Sequence, residues 1–139
     1  MRPGFVATLL TVLVCGVGAQ TADKYQARLS PLPVTGGTVN TITGVGSVIA
    51  TLSGSRLSID GTFSGLAGPA TTANIRRAPR AMRGEVIAEM TVPKATSGQL
   101  KATVDLTPNQ VEDLRAGRLY VQIHSEAAPD GSIRGWLLK

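Results

Sequence analysis

Histidine occurs once in this chain, at His124, and cysteine once, at Cys15. Any chemistry that needs an imidazole has this one residue to work with. A metal bound at His124 would need three or more further nitrogen or oxygen ligands, or waters. With no second histidine and scattered carboxylates, zinc and copper are not expected, and no cofactor is implied. Ser125 follows His124 directly, but neighbouring side chains in a strand point to opposite faces, so the two make a poor nucleophile and base. There is no Gly-x-Ser-x-Gly elbow and no dinucleotide fingerprint, since Gly44-Val-Gly46 runs on into Ser47, Val48 and Ile49. Asp60, Glu85, Glu89 and Asp105 fall on outward positions, as on an ordinary soluble surface. The other concentration of chemistry is Arg76, Arg77, Arg80 and Arg83, four arginines in eight residues. Their planar forks suit carboxylate, sulfate or phosphate groups. The competing reading is a solvated connection balanced by Glu85 and Glu89.

The elements that would position these residues are mostly strands. Arg118-Leu-Tyr-Val-Gln-Ile-His124 and Ser132-Ile-Arg-Gly-Trp-Leu-Leu138 each alternate in polarity, and Pro129, Asp130 and Gly131 lie between them. That pattern predicts a β-hairpin. Pairing Gln122 with Arg134 puts Tyr120, Gln122, His124, Ser132, Arg134 and Trp136 on one face. Leu119, Val121, Ile123, Ile133, Gly135 and Leu137 take the other. The first face is a candidate polar and aromatic binding surface. The alternative is structural: His124 bonded to the nearby loop, Arg134 meeting Glu126 or Asp130, and Trp136 packed under a helix.

Further strands are predicted at Tyr25–Ser30, stopped by Pro31 and Pro33, and at Gly44–Leu52 and Arg56–Phe63, joined by Ser53-Gly-Ser55. So short a link makes the last two an antiparallel hairpin. Thr71–Arg77 follows with Ala73 and Ile75 inward, then a strand with Val86, Ala88, Met90 and Val92 inward, and one marked by Leu100, Ala102, Val104 and Leu106. Thr35–Thr43 reads as a loop. One short helix is expected near residues 108–116, with Thr107 as cap, Pro108 in the first turn, Gln110 completing a capping box and Gly117 at the exit. No strand-helix-strand alternation occurs. The fold class is therefore all-β, an antiparallel sandwich or flattened barrel.

The chain has 139 residues, room for one domain, and its aromatic content of 4% means a core of Val, Ile, Leu and Ala. Residues 1–19 read as a signal peptide: Arg2, an apolar run from Phe5 to Val14, and Val17-Gly18-Ala19 before the cut. An N-terminal membrane anchor is the competing reading, and lipidation at Cys15 is disfavoured by Val14. Residues 20–139 are then a single exported domain, periplasmic or extracellular, without cysteine and with no transmembrane span. Without Arg2, Lys plus Arg is 13 against nine acids, a net charge of +4. Export makes nucleic acid a poor partner for that charge. An anionic polysaccharide, a lipid head group or an exported protein suits it better.

Leu119-Tyr-Val-Gln-Ile-His-Ser-Glu-Ala-Ala-Pro-Asp-Gly-Ser-Ile-Arg-Gly135 resembles the signature of the CHRD (chordin-type) domain family. In that family a Tyr-Val-Asn-Val-His-Thr strand precedes Asn-Pro-Gly-Gly-Glu-Ile-Arg-Gly. Tyr120, Val121, His124, Pro129, Gly131, Ile133, Arg134 and Gly135 match. Leu57–Leu66, Gly68–Ala73 and Leu106–Leu114 are similar to the family's preceding segments, so the likeness spans roughly Tyr25 to Leu138. The resemblance implies a Greek-key β-sandwich, immunoglobulin-like or superoxide-dismutase-like, and no general reaction. Where the family usually carries His-Ile-His, this chain has Asn74-Ile75-Arg76, which puts any metal role of those histidines in doubt here. The expected function is a non-catalytic exported binding or envelope-associated module, the alternative being an enzyme with its site around His124.

Overall fold

A computed structural model describes residues 22–139. The expected signal peptide, Met1–Ala19 with Cys15, lies outside the described residues. Eight strands and one helix follow in order: β1 (Asp23–Pro31), β2 (Val45–Ser53), β3 (Arg56–Ser64), β4 (Ala70–Arg77), β5 (Glu85–Met90), β6 (Gly98–Asp105), α1 (Pro108–Arg115), β7 (Leu119–Ser125) and β8 (Ile133–Trp136). No helix among the described residues is long and apolar enough to cross a membrane.

The strands form one antiparallel sheet in the order β5-β4-β7-β8-β1-β2-β3-β6. β1 to β3 form a meander, with Ser53 opposite Arg56 at a turn whose Gly54 has φ +63°. The returns that place β6 beside β3 and β7 beside β4 are Greek-key connections. β1 belongs to both halves. It pairs with β2 from Asp23 to Leu29, then with β8 at Ser30 and Pro31. The edge strands β5 and β6 approach each other, so the sheet is nearly closed around its core.

That core follows from the two-residue period of the strands. Leu57, Ile59 and Phe63 of β3, Val48, Ala50 and Leu52 of β2, and Tyr25, Ala27 and Leu29 of β1 are buried from one side. Ala73 and Ile75 of β4, Leu119, Val121 and Ile123 of β7, and Ile133 of β8 meet them in the same cluster. All eight strands and the whole cluster fall between Asp23 and Leu137.

The expected phase fails in one strand. The local pattern puts Val86 inward with Ala88 and Met90, but Val86 is exposed. The cause is a bulge: Ile75 faces Ala88 while the next residue, Arg76, faces Val86, so Ile87 is skipped. An extra residue reverses the alternation, and Ile87 packs against the core instead. Helix α1 forms as its caps dictate, with Gln110 N–H donating to Thr107 Oγ1 at 3.2 Å and Thr107 N–H to Gln110 Oε1 at 3.0 Å. It covers one end of the sheet through buried Leu114 and half-buried Val111.

Candidate functional site

The hairpin of β7 and β8 has the expected register, with Gln122 opposite Arg134 and Tyr120 opposite Trp136. Since β4 lies on the other side of β7, Asn74 faces Gln122 and Arg76 faces Tyr120. One layer of side chains therefore combines Asn74, Arg76, Tyr120, Gln122, His124, Arg134 and Trp136. Two loops fold over it. Tyr120, Gln122 and His124 are buried beneath them, while Arg134 and Trp136 keep partial access to solvent.

The hydrogen-bond directions in this layer can be worked out from groups that have no choice. Arg76 Nε can only donate, and it meets Asn74 Oδ1 at 3.0 Å, so Asn74 turns its Nδ2 to His124 Nε2 at 3.2 Å. The Asp130 carbonyl can only accept. It meets Gln122 Nε2 at 3.3 Å, and the same Nε2 lies 3.2 Å from His124 Nε2. Both amides thus offer N–H groups to Nε2, which must accept. Nδ1 carries the proton and donates to the Pro129 carbonyl at 2.9 Å. His124 is a neutral imidazole with both nitrogens used, holding the loop over residues 126–131 against β7.

Burial is the largest influence on His124 and pushes its pKa below the ordinary 6.5. The Pro129 hydrogen bond acts the other way, Arg76 lowers it again, and Asp130 and Arg83 make smaller opposing contributions. Protonating Nε2 would also set a new N–H against two amide donors. The sign for stability follows. Just below the unfolded-state pKa of about 6.5, the unfolded chain takes up a proton that the folded chain resists. The contribution of neutral His124 is full above that pH and declines as pH falls towards the lowered native value. The urea midpoint should drop between pH 7.5 and 5.5, and a His124 ring that titrates by NMR at 6.5 or above would contradict the assignment.

The second loop, residues 78–84, is held by the aromatic pair. Trp136 Nε1 donates to the Ala78 carbonyl at 3.0 Å, and Gly84 N–H donates to Tyr120 Oη at 2.9 Å. Arg76 Nη1 adds a bond to the Gly84 carbonyl at 3.1 Å. The two rings pack on each other with centroids 4.6 Å apart, and the Arg134 guanidinium lies 5.0 Å over the indole. Trp136 therefore does not pack under the helix, and Arg134 forms no ion pair with Glu126 or Asp130.

The arginine run is divided. Arg76 is tied into the polar layer. Arg77 has its Nε 2.8 Å from Oδ2 of buried Asp113 on α1, off the axis of an aligned N–H bond, so the two pair as charges. Arg80 and Arg83 stay exposed on the loop and, among the described residues, have no side-chain hydrogen bond or ion pair. They instead join two arginines from elsewhere. A groove of about 570 Å³ is lined by Arg28, Arg80, Arg134 and Trp136. It adjoins a cavity of about 370 Å³ lined by Arg83, Arg134 and Asp130, and the two share Pro33, Ala81 and Arg134. Sequence reasoning missed Arg28, whose neighbours in β1 alternate as any strand does. A larger depression of about 880 Å³ on the outer face of β1 to β3 has Arg28 as its one charged residue, with Gln26, Ser47, Thr62 and Ser64 as neutral polar lining.

Asn74 and Arg76 occupy the places of the His-Ile-His pattern, and the structure brings Asn74 directly onto His124. An amide N–H donor and a guanidinium stand where imidazole lone pairs would be, so the cluster offers a cation only one nitrogen that already accepts two hydrogen bonds. The family model for the CHRD domain matches residues 25–137. Comparison with curated proteins and with solved structures finds no match. The matched span takes in seven strands whole and β1 from Tyr25 on, together with the sealed His124 layer. On that span, the chain belongs to the CHRD domain family.

Proposed function

We propose that this CHRD domain is an exported, non-catalytic binding module whose ligand is an anionic group held in the arginine-lined groove. The observation that carries it is the convergence of Arg28, Arg80, Arg83 and Arg134, from three separate parts of the chain, on two adjoining cavities where none has an ion-pair partner among the described residues. Four arginines with only Asp130 as a nearby counter-charge repel each other, and a carboxylate, sulfate or phosphate would relieve that. The indole under Arg134 orients its fork before any ligand arrives. The apolar run and small residues of Met1–Ala19 support export. The sealed His124 layer, with both ring nitrogens occupied, supports binding over the enzyme alternative.

Retention on a heparin matrix tests this. At about 1 kcal/mol for each charge-assisted hydrogen bond removed, replacing all four groove arginines with glutamine should weaken retention by nearly three decades, ~700-fold. Replacing Arg76 and Arg77 should lower stability and leave retention nearly unchanged, because those two are engaged inside the fold. The opposite pattern would place the anion site on the original run.

A further inference from the structure

The loops beside the arginine groove carry exposed apolar side chains that line neither cavity. Val34, Val39 and Met82 are 46, 52 and 58% exposed. All three sit on the two loops that enclose the adjoining cavity, lined on one side by Pro33, Thr35 and Thr38 and on the other by Ala81 and Arg83. The first loop, residues 32–43, contains no charged residue. It also satisfies part of its own backbone at its tip: Thr38 N–H donates to the Thr35 carbonyl at 3.0 Å, and Thr41 and Ile42 donate to the Thr38 carbonyl at 3.0 and 2.9 Å. Backbone bonded within itself is what a segment needs to leave water cheaply. The second loop is tied down at both ends by Trp136, Tyr120 and Arg76. Ala81 sits at φ 66°, a conformation that costs a non-glycine residue energy, and Met82 N–H closes the turn onto the Pro79 carbonyl at 3.1 Å. Met82 lies between Arg80 and Arg83 on this turn.

Exposed apolar tips beside unpaired arginines match the two layers of a bilayer surface, acyl boundary and phosphate. We propose that these two loops dock the domain on an anionic phospholipid surface. Val34, Val39 and Met82 enter the head-group layer, and Arg80, Arg83 and Arg134 meet lipid phosphates. The proposal rests on reading the groove as an anion site and specifies the source of the anion. A soluble acidic polymer would use the arginines equally well but give the apolar tips no role.

The test is co-sedimentation of the protein from Ala22 onward, which carries every described element, with vesicles of phosphatidylcholine alone or mixed with phosphatidylglycerol. Heparin retention is measured in parallel as a control for folding and for the groove. Wild type should bind the anionic vesicles and not the neutral ones. Replacing Val34, Val39 and Met82 together with serine should weaken vesicle binding about tenfold or more and leave heparin retention unchanged. Replacing Arg80, Arg83 and Arg134 with glutamine should weaken both, at about fivefold per arginine at an anionic surface. If the serine variant binds vesicles like wild type, or if wild type is retained on heparin but ignores anionic vesicles, membrane docking is overturned while the anion site stands. If the arginine variant loses neither interaction, the anion site itself falls.

Discussion

Gly135→Ala is expected to destabilise the protein by about 3 kcal/mol or more, the upper end for overpacking a close-packed interior. A methyl at residue 135 would run into the carbonyl oxygen of Arg28 and lie 2.9 Å from its carbonyl carbon. These are backbone atoms, and the backbone there cannot move aside. Arg28 is paired with Ser47 of β2, and two residues on Ser30 is paired with Arg134 of β8. Relieving the clash would pull β1 away from one of its neighbours. With a urea m-value of about 1–3 kcal/mol per molar, the midpoint should fall by roughly 1 M or more. Gly54→Ala serves as the comparison. Nothing lies within 4 Å of a methyl there, and only the φ of +63° opposes it, a cost of about 1 kcal/mol. A Gly135→Ala protein as stable as the Gly54→Ala one would refute the account of how β1 and β8 meet.

The second large effect is expected at His124. His124→Ala removes the donor to the Pro129 carbonyl and the acceptor of Asn74 and Gln122 at once, and opens a void under the loop. Orphaned buried polar groups cost about 1–3 kcal/mol each and part is recovered by water, so a loss of about 3 kcal/mol is expected. Asn74→Ala acts on the same network, because it also strips Arg76 Nε of its acceptor. The double variant should therefore lose less than the sum of the two singles, by about 1 kcal/mol. Urea unfolding of the four proteins measures this directly. Heparin retention of His124→Ala, measured where it is still folded, should match wild type. A marked loss of retention without loss of stability would return His124 to the binding site.

Much of this architecture is legible in the sequence. The hairpin register of Gln122 and Arg134 can be read because two alternating runs flank a turn whose residues exclude a strand. The ends of α1 can be read because Thr107, Gln110 and Gly117 are local signals acting within one turn. What stays hidden requires partners distant in sequence. Nothing in the spacing of residues 120–124 tells that loops 78–84 and 126–131 close over them, burying Tyr120, Gln122 and His124 while Arg134 and Trp136 stay open to the groove. Nor does it tell that Arg28, some fifty residues before Arg80, will line the same groove. Asp113 reads as part of a solvated helix face and is buried against Arg77. Val86 escapes the local pattern because the bulge that skips Ile87 is set by pairing with β4, and the alternation reads smoothly through it.

The double membership of β1 also bears on when the chain can finish folding. Its start is clasped by residues 138 and 139: Gln26 N–H donates to the Leu138 carbonyl at 2.7 Å, Leu138 N–H donates back to the Gln26 carbonyl at 2.9 Å, and Lys139 Nζ lies 3.2 Å from Asp23. The β1–β2–β3 meander can assemble from local pairings as soon as it is made. Its free edge must then wait for β8, which brings Arg134 to Ser30 from far along the chain. Loops of this length close slowly, and folds dominated by such pairings take milliseconds to seconds. Until β8 is in place, Ser30 and Pro31 of β1 lack their partner strand and the two halves of the sheet stay unlocked.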